Sequence, residues 1–371
     1  MVRRPSARAR AGQWLLLAAV LGVAVFLGGN AAANLARRHM TFGFGFLFYP
    51  SNFDIPFHLI PWSTADTYGH ALLVSTLNTL LVSAMGIVAS TLLGLLVGLM
   101  RLSTNWLVRN VALAYVELVR NTPQLVQIIF WYVAVLQTLP SPRQSFRLPA
   151  GMLLNIRGLY VPDAVFGPHG PTLAWIALAL LIATPFAWRL RLGARRIGPY
   201  ALTLLPVAAA VLVAGVDRLE WPVLRGFNIA GGTAVPPELV ALWAGLSIYA
   251  SGFIAEIVRA TILAVHKGQR EAALSLGLKP GRVMVLIVLP QALRIMVPPL
   301  TSQYLNLIKS SSLGAAIAYP ELFEIFAGTV LNQSGKEIET IVIVMGFFLV
   351  INLITSALMN LYNRRIALIG T

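Results

Sequence analysis

The chain has 371 residues, of which 57% are hydrophobic and 11% charged, with a mean hydropathy of +0.77. A soluble domain carries about 25% charged residues, so this composition excludes an ordinary water-solvated surface. The formal charge of +15 sits in short clusters between apolar runs, as the positive-inside bias of membrane proteins requires and a nucleic-acid surface does not, and the lack of cysteine excludes disulfides, iron–sulfur clusters and thiolate zinc sites.

Apolar runs long enough to cross ~30 Å of hydrocarbon recur along the chain. Alternating strands of barrel type are absent, so the spans must be helices. An all-α integral membrane protein of about eight transmembrane helices is expected, at 14–35, 70–100, 119–139, 172–189, 199–215, 240–262, 286–308 and 338–361. The first run follows Arg3, Arg4, Arg8 and Arg10 and precedes Ala31-Ala32-Ala33. It resembles a signal peptide and is read as a retained anchor. The second contains Gly94 and Gly98, a GxxxG spacing that allows close helix packing. With the N-terminus inside, the inner loops hold Arg101 and Arg109, then Arg189, Arg191, Arg195 and Arg196, then Arg259, Lys267, Arg270, Lys279 and Arg282, and finally Arg364 and Arg365. The outer loops hold the thinner set Arg37, Arg38, Arg143, Arg147, Arg157, Arg218, Arg225 and Lys336. Both termini are therefore expected on the cytoplasmic side of the membrane.

The outer loops at about 36–69 and 140–171 are rich in proline, glycine and aromatics, among them Phe42, Phe44, Phe46, Phe48, Tyr49, Trp62 and Tyr68. They predict an interfacial belt or a small cap, with partner docking as the second reading. Leu313 to Leu331 is apolar but contains Pro320, Glu321 and Glu324. A charge at a helix centre costs about 2.5–3.5 kcal/mol on insertion scales, so the stretch predicts a short re-entrant or interfacial helix on the outer side. His39, His58, His70, His169 and His266 are scattered without ligand spacing, and no metal site is expected. The chain divides into an N-terminal helix and outer segment (1–69), the first part of a core (70–139), an outer loop with an inserted helix pair (140–237) and the rest of the core (238–365).

The strongest signal lies in an inner loop. Gly268-Gln269-Arg270-Glu271-Ala272-Ala273-Leu274-Ser275-Leu276-Gly277 is followed, ten residues after Gly277, by Ile287, Leu289 and Pro290. Helix-forming residues with an acid near the start and glycine near the end predict a short helix, small at the alanines and charged at Glu271. Such a helix can dock in a groove of a cytoplasmic partner and pass motion to the spans on either side. The segment matches the EAA---G---------I-LP pattern of ATP-binding-cassette importer permeases at all seven fixed positions. The flanks, Ser251-Gly252-Phe253-Ile254-Ala255-Glu256-Ile257-Val258-Arg259, Pro290 to Lys309, and Tyr115-Val116-Glu117-Leu118-Val119-Arg120-Asn121-Thr122-Pro123, resemble the polar amino-acid permeases within that group. Asn121 stands where glycine is more usual and Ser310 where aspartate often follows the lysine. The inserted spans and Asn155-Ile156-Arg157-Gly158-Leu159-Tyr160-Val161-Pro162 resemble the larger permease subunit of the general L-amino-acid importers.

The resemblance implies a type I (MetI-like) importer domain that carries L-amino acids into the cytoplasm, with no catalysis in this chain. It implies a homologous permease partner in a heterodimer, two ATP-binding subunits that use ATP and Mg, and a periplasmic amino-acid-binding protein. Gly268, Glu271, Ala272, Ala273, Gly277, Ile287, Leu289 and Pro290 would couple to the ATPase. No G-x-x-x-x-G-K-[ST] phosphate loop occurs here, since Glu337 follows Gly335-Lys336, and no cofactor is expected on this chain. Polar residues within spans are candidates for the translocation path: Asn78, Thr122, Gln124, Gln127, Ser251, Glu256, Asn306 and Lys309. Each has interhelical hydrogen bonding as its alternative, and Glu256 has an i,i+3 pair with Arg259. An ion-coupled secondary transporter is the competing functional class. It would need charges in the spans to couple transport and has no use for the EAA loop.

Overall fold

The computed structural model describes residues 7–37, 42–187, 191–192, 195–196, 204–226 and 228–367. Arg3, Arg4, Arg38, His39 and Arg189 lie outside these. The chain falls into two compact units, Met1–Thr76 with Leu322–Ile351, and Leu77–Glu321 with Asn352–Thr371.

The first unit begins with α1 (Ala7–Arg37), an apolar helix whose described side chains are all exposed. A helix that is apolar all round and exposed all round needs a second apolar phase, and lipid supplies one. The aromatic stretch after it folds as a 3₁₀ turn, Phe44–Phe48. The turn presents its rings unequally: Phe46 is buried while Phe48 is 81% exposed. Phe46 stands edge-on to Tyr68, 5.8 Å between ring centres, in a core with Phe53, Ile55, Ala71, Val74, Leu322, Phe326 and Val344. Buried Glu339 accepts the Gly43 N–H at 2.8 Å and pairs with Lys336 at 3.7 Å, so the aromatic segment is tied down by a satisfied carboxylate.

The helices after α1 are numbered in chain order. We label α2 (Tyr68–Met100), α3 (Trp106–Asn121), α4 (Gln124–Ile129, continued as a π-helix over Phe130–Leu136), α5 (Gly170–Ala187), α6 (Leu204–Ala214), α7 (Pro237–Ala264), α8 (Lys267–Ser275), α9 (Pro280–Val283), α10 (Leu289–Ser310), α11 (Leu331–Ser334) and α12 (Glu337–Ala367). Of these, α2 runs from the first unit into the second, α3 to α10 belong to the second, α11 belongs to the first, and α12 runs from the first into the second. A π-helical turn, Met284–Val288, joins α9 to α10 without a break. Among the described residues, Gly12–Asn30, Tyr68–Met100, Pro237–Ala264, Pro280–Ile317 and Glu337–Leu361 are the five stretches long and apolar enough to cross a membrane.

This number is lower than the expected eight for identifiable reasons. The span expected at 119–139 breaks at Pro123, which has no N–H to donate and closes α3 at Asn121. The spans expected at 172–189 and 199–215 run over residues outside the described set. Their described parts are α5 and α6, which pack on each other. At 11 residues, α6 rises only about 16 Å, half the hydrocarbon thickness.

Between α4 and α7 the otherwise helical membrane protein adds short strands. Four short strands form an antiparallel sheet in the order Phe146–Arg147, Leu153–Asn155, Gly158–Val161, Thr233–Val235, with Leu154 opposite Leu159 and Tyr160 opposite Ala234. Asp163–Phe166 pairs with Val216–Glu220, so the inserted α5–α6 pair is carried on a two-stranded ribbon. In the stretch expected to be a short helix at 313–331, the chain makes a 3₁₀ turn over Ser311–Ile317 and an αL residue at Ala318. It then enters a π-helical segment, Glu324–Val330, that runs on into α11.

Candidate functional site

The loop that links α7 to α10 folds as the sequence predicts in outline and differs in which alanine does what. His266 starts α8, its Nδ1 accepting the Gly268 N–H at 3.2 Å. At the other end the Gly277 N–H donates to the Leu274 carbonyl at 2.9 Å and the Leu278 N–H to the Ala273 carbonyl at 3.3 Å. These two bonds are the Schellman closure, which requires a left-handed residue at the position that Gly277 fills with φ +80°. The fixed glycine of the pattern is thus the stop of the helix.

The expected alanine face is divided. Ala273 is buried in a cluster with Ile262, Val265, Val283, Val288 and Ala292, which roots α8 on the end of α7 and the start of α10. Ala272 and Glu271 are exposed, as are Leu274 and Leu276, the last at 84%. Gly268 is half-buried against the His266 ring. Ile287 and Leu289 are half-buried and Pro290 is exposed; the residue fully enclosed between them is Val288, which sequence reading did not single out. Pro290 cannot donate to the carbonyl four residues back, and its ring would crowd that turn. The π-turn over Met284–Val288, closed by the Leu289 N–H to the Met284 carbonyl, opens the ladder at that point and keeps the helix continuous.

The helix leading into α8 is the most enclosed in the unit. Gly94 and Gly98 of α2 meet α7 so closely that an added Cβ would lie 2.5 Å from Ile254 Cγ2 and 2.8 Å from the Ala255 carbonyl oxygen, respectively. The GxxxG spacing therefore does pack a helix pair. On its other sides α7 meets α4 at Gly245 against Ile128, and α3 at Gly252 against Val119. Arg120 of α3 lies over the Phe253 ring, 5.1 Å from its centre.

The polar residues expected along a path are largely engaged within the fold. Asn78, fully buried, donates from Nδ2 to the Pro320 carbonyl at 2.9 Å, and its own carbonyl accepts from the Tyr319 hydroxyl at 3.2 Å. Thr122 returns its hydroxyl to the Leu118 carbonyl at 2.8 Å. Gln127 donates to the Val119 carbonyl at 2.9 Å and the Thr122 carbonyl at 3.2 Å, serving the acceptor that Pro123 leaves without its helical donor. Ser251 bonds the Tyr115 hydroxyl at 2.7 Å. Glu256 holds Arg259 at 2.6 Å, as the i,i+3 spacing suggested, and also Arg101, whose side chain comes from 155 residues away. Gln124 is half-buried, and Asn306 and Lys309 are exposed on α10. No cluster of three or more histidine, aspartate or glutamate side chains able to hold a metal occurs among the described residues.

A bundle of long apolar helices carrying a short, exposed, glycine-stopped helix on one inter-span loop defines a polytopic membrane protein. Residues 199–368 match the family model described as binding-protein-dependent transport system inner membrane component. The chain is 47% identical to the putative amino-acid ABC transporter permease protein YhdX of Escherichia coli K12, over 98% of this chain and 95% of that one. It is 44% identical to the general L-amino acid transport system permease protein AapQ of Rhizobium johnstonii, over 96% and 92%. A crystal structure of an amino acid ABC transporter with histidines superposes with a TM-score of 0.51 over 80% of this chain and 95% of that chain; at 20% identity this speaks for the fold, the type I importer fold. The chain belongs to the amino-acid ABC transporter permeases. It is a multi-pass membrane permease subunit and not itself an enzyme, and membership implies separate ATP-binding subunits and a binding protein.

Proposed function

We propose that this chain moves L-amino acids from periplasm to cytoplasm across the inner membrane, with both termini inside, as one half of a heterodimer with a homologous permease. The ATP and Mg are used by two ATP-binding subunits docked beneath it, and a periplasmic amino-acid-binding protein delivers the substrate from above. The observation that carries the reading is α8. Ala273 roots it in the core, Gly277 ends it, and Glu271 and Ala272 are left exposed on a rigid stub whose ends continue into α7 and α10. Gly268, Ile287, Leu289 and Pro290 shape that stub, and the partner reads Glu271 and Ala272. Along the path, Gln124, Asn306 and Lys309 face the substrate, while Asn78, Thr122, Gln127, Ser251 and Glu256 hold the wall. The division at 1–69, 70–139, 140–237 and 238–365 separates an anchor, a core in two parts and an outer insertion.

Glu271→Lys tests this reading. The side chain is exposed, so the change leaves folding within about 0.5 kcal/mol and reverses the charge offered to the ATPase. Binding-protein-dependent, ATP-driven uptake in reconstituted vesicles is expected to fall to background with normal membrane insertion. Wild-type uptake by this variant, or uptake by the parent that stops when ion gradients collapse, would refute it.

A further inference from the structure

We infer that Glu256 is a positioning residue whose carboxylate fastens the end of α2 to α7, so that both helices move as one body when α8 is displaced. The inference rests on the docking role of α8. One carboxylate serves two guanidinium groups. Arg259 reaches Oε1 from Nη2 at 2.6 Å and both oxygens from Nε at 3.2 and 3.3 Å, and Arg101 takes Oε2. Arg101 is the residue immediately after α2, its backbone N–H still bonded to the Val97 carbonyl at 3.0 Å, and its side chain is only 13% exposed. One turn earlier, Gly98 brings the α2 backbone against the Ala255 carbonyl and Val258. The ion triad and the glycine contact therefore clamp the same few residues of α7. From Glu256 the helix runs unbroken to Ala264, and His266 then opens α8. A push on α8 reaches Glu256 through rigid helix, and there it meets α2. Remove the acid and two cations face each other at close range with nothing between them, which drives the helices apart.

The absence of cysteine from the chain gives a direct test. Leu99→Cys and Leu263→Cys place spin labels on exposed positions of α2 and α7, 53% and 54% exposed, in the full complex with cysteine-free partners. The label-to-label distance is read by pulsed electron resonance in the nucleotide-free and vanadate-trapped states. With Glu256 present the distance is expected to be the same in both states. With Glu256→Gln it is expected to differ between them, with uptake at least tenfold lower and ATP hydrolysis continuing. The exchange Arg101→Glu with Glu256→Arg, which sets one acid at the end of α2 against two bases on α7 and so keeps an ion pair across the two helices, is expected to restore the single distance. If Glu256→Gln does not assemble, Arg101→Gln carries the same expectation. A parental distance that changes between states overturns the inference. So does a Glu256→Gln distance as constant as the parent's. Either result leaves the docking role of α8, tested through Glu271, standing.

Discussion

Gly277 offers the sharpest separation between a backbone requirement and a requirement for space. Its φ is +80° and an added Cβ would meet nothing within 4 Å, so a substitution there carries conformational strain and no clash. Placing an L-residue in the left-handed region costs about 1–2 kcal/mol, or roughly 5–30-fold in a local equilibrium. Asparagine visits that region more readily than alanine, and a β-branched residue least of all. The expected order is therefore Gly, Asn, Ala, Val. The readout is amide exchange over 266–280, where the N–H groups at 277 and 278 bond back to Leu274 and Ala273. Gly277→Ala is expected to speed exchange there about fivefold, and ATP-driven uptake should fall in the same order. A series in which asparagine is as damaging as valine would refute this account and show that the glycine is needed because the partner comes close.

Gln127→Leu keeps the buried volume but leaves the Val119 and Thr122 carbonyls short of a donor; it is expected to cost about 1–3 kcal/mol, seen as a lower midpoint in thermal unfolding of the purified protein, and an unchanged midpoint would dismiss the bridging role. Gly94→Leu forces a side chain into Ile254, which an added Cβ would already approach to 2.5 Å. The cost is about 1–3 kcal/mol of overpacking. Adding Ile254→Ala should raise the midpoint above that of Gly94→Leu alone, because the second change opens the space the first one fills.

The loop from Gly268 to Pro290 was readable because its order is local: a cap, a short helix, a left-handed stop and a proline all announce themselves within a few residues. What spacing could not show was that Ala273 is buried while Ala272 stays exposed, since that is decided by the cluster around Val283 and Val288. The second and sixth expected spans, 70–100 and 240–262, match α2 and α7 closely, because an uninterrupted apolar run has one physical solution in a bilayer. At 119–139 hydropathy outweighed Pro123, and the resulting break explains why Gln127 and Thr122, polar residues in an apolar run, bond to backbone. The strands between 146 and 235 are two to five residues long, too short to display a period. The Glu256–Arg259 pair was legible at i,i+3; Arg101 was not, because nothing in one sequence relates residues 155 positions apart.

The tight seating of α7 has a bearing on how such subunits can be recombined. Its neighbours touch it through Gly94 and Gly98 on one side, Ile128 and Val119 on others, so each contact is a matched pair of shapes written in distant parts of the gene. A hybrid that takes α7 from one relative and α2 to α4 from another would bring together halves fitted to different mates. Crossovers placed in the 140–236 insertion separate those halves, whereas exchanging the insertion alone leaves every one of these contacts with its original partner.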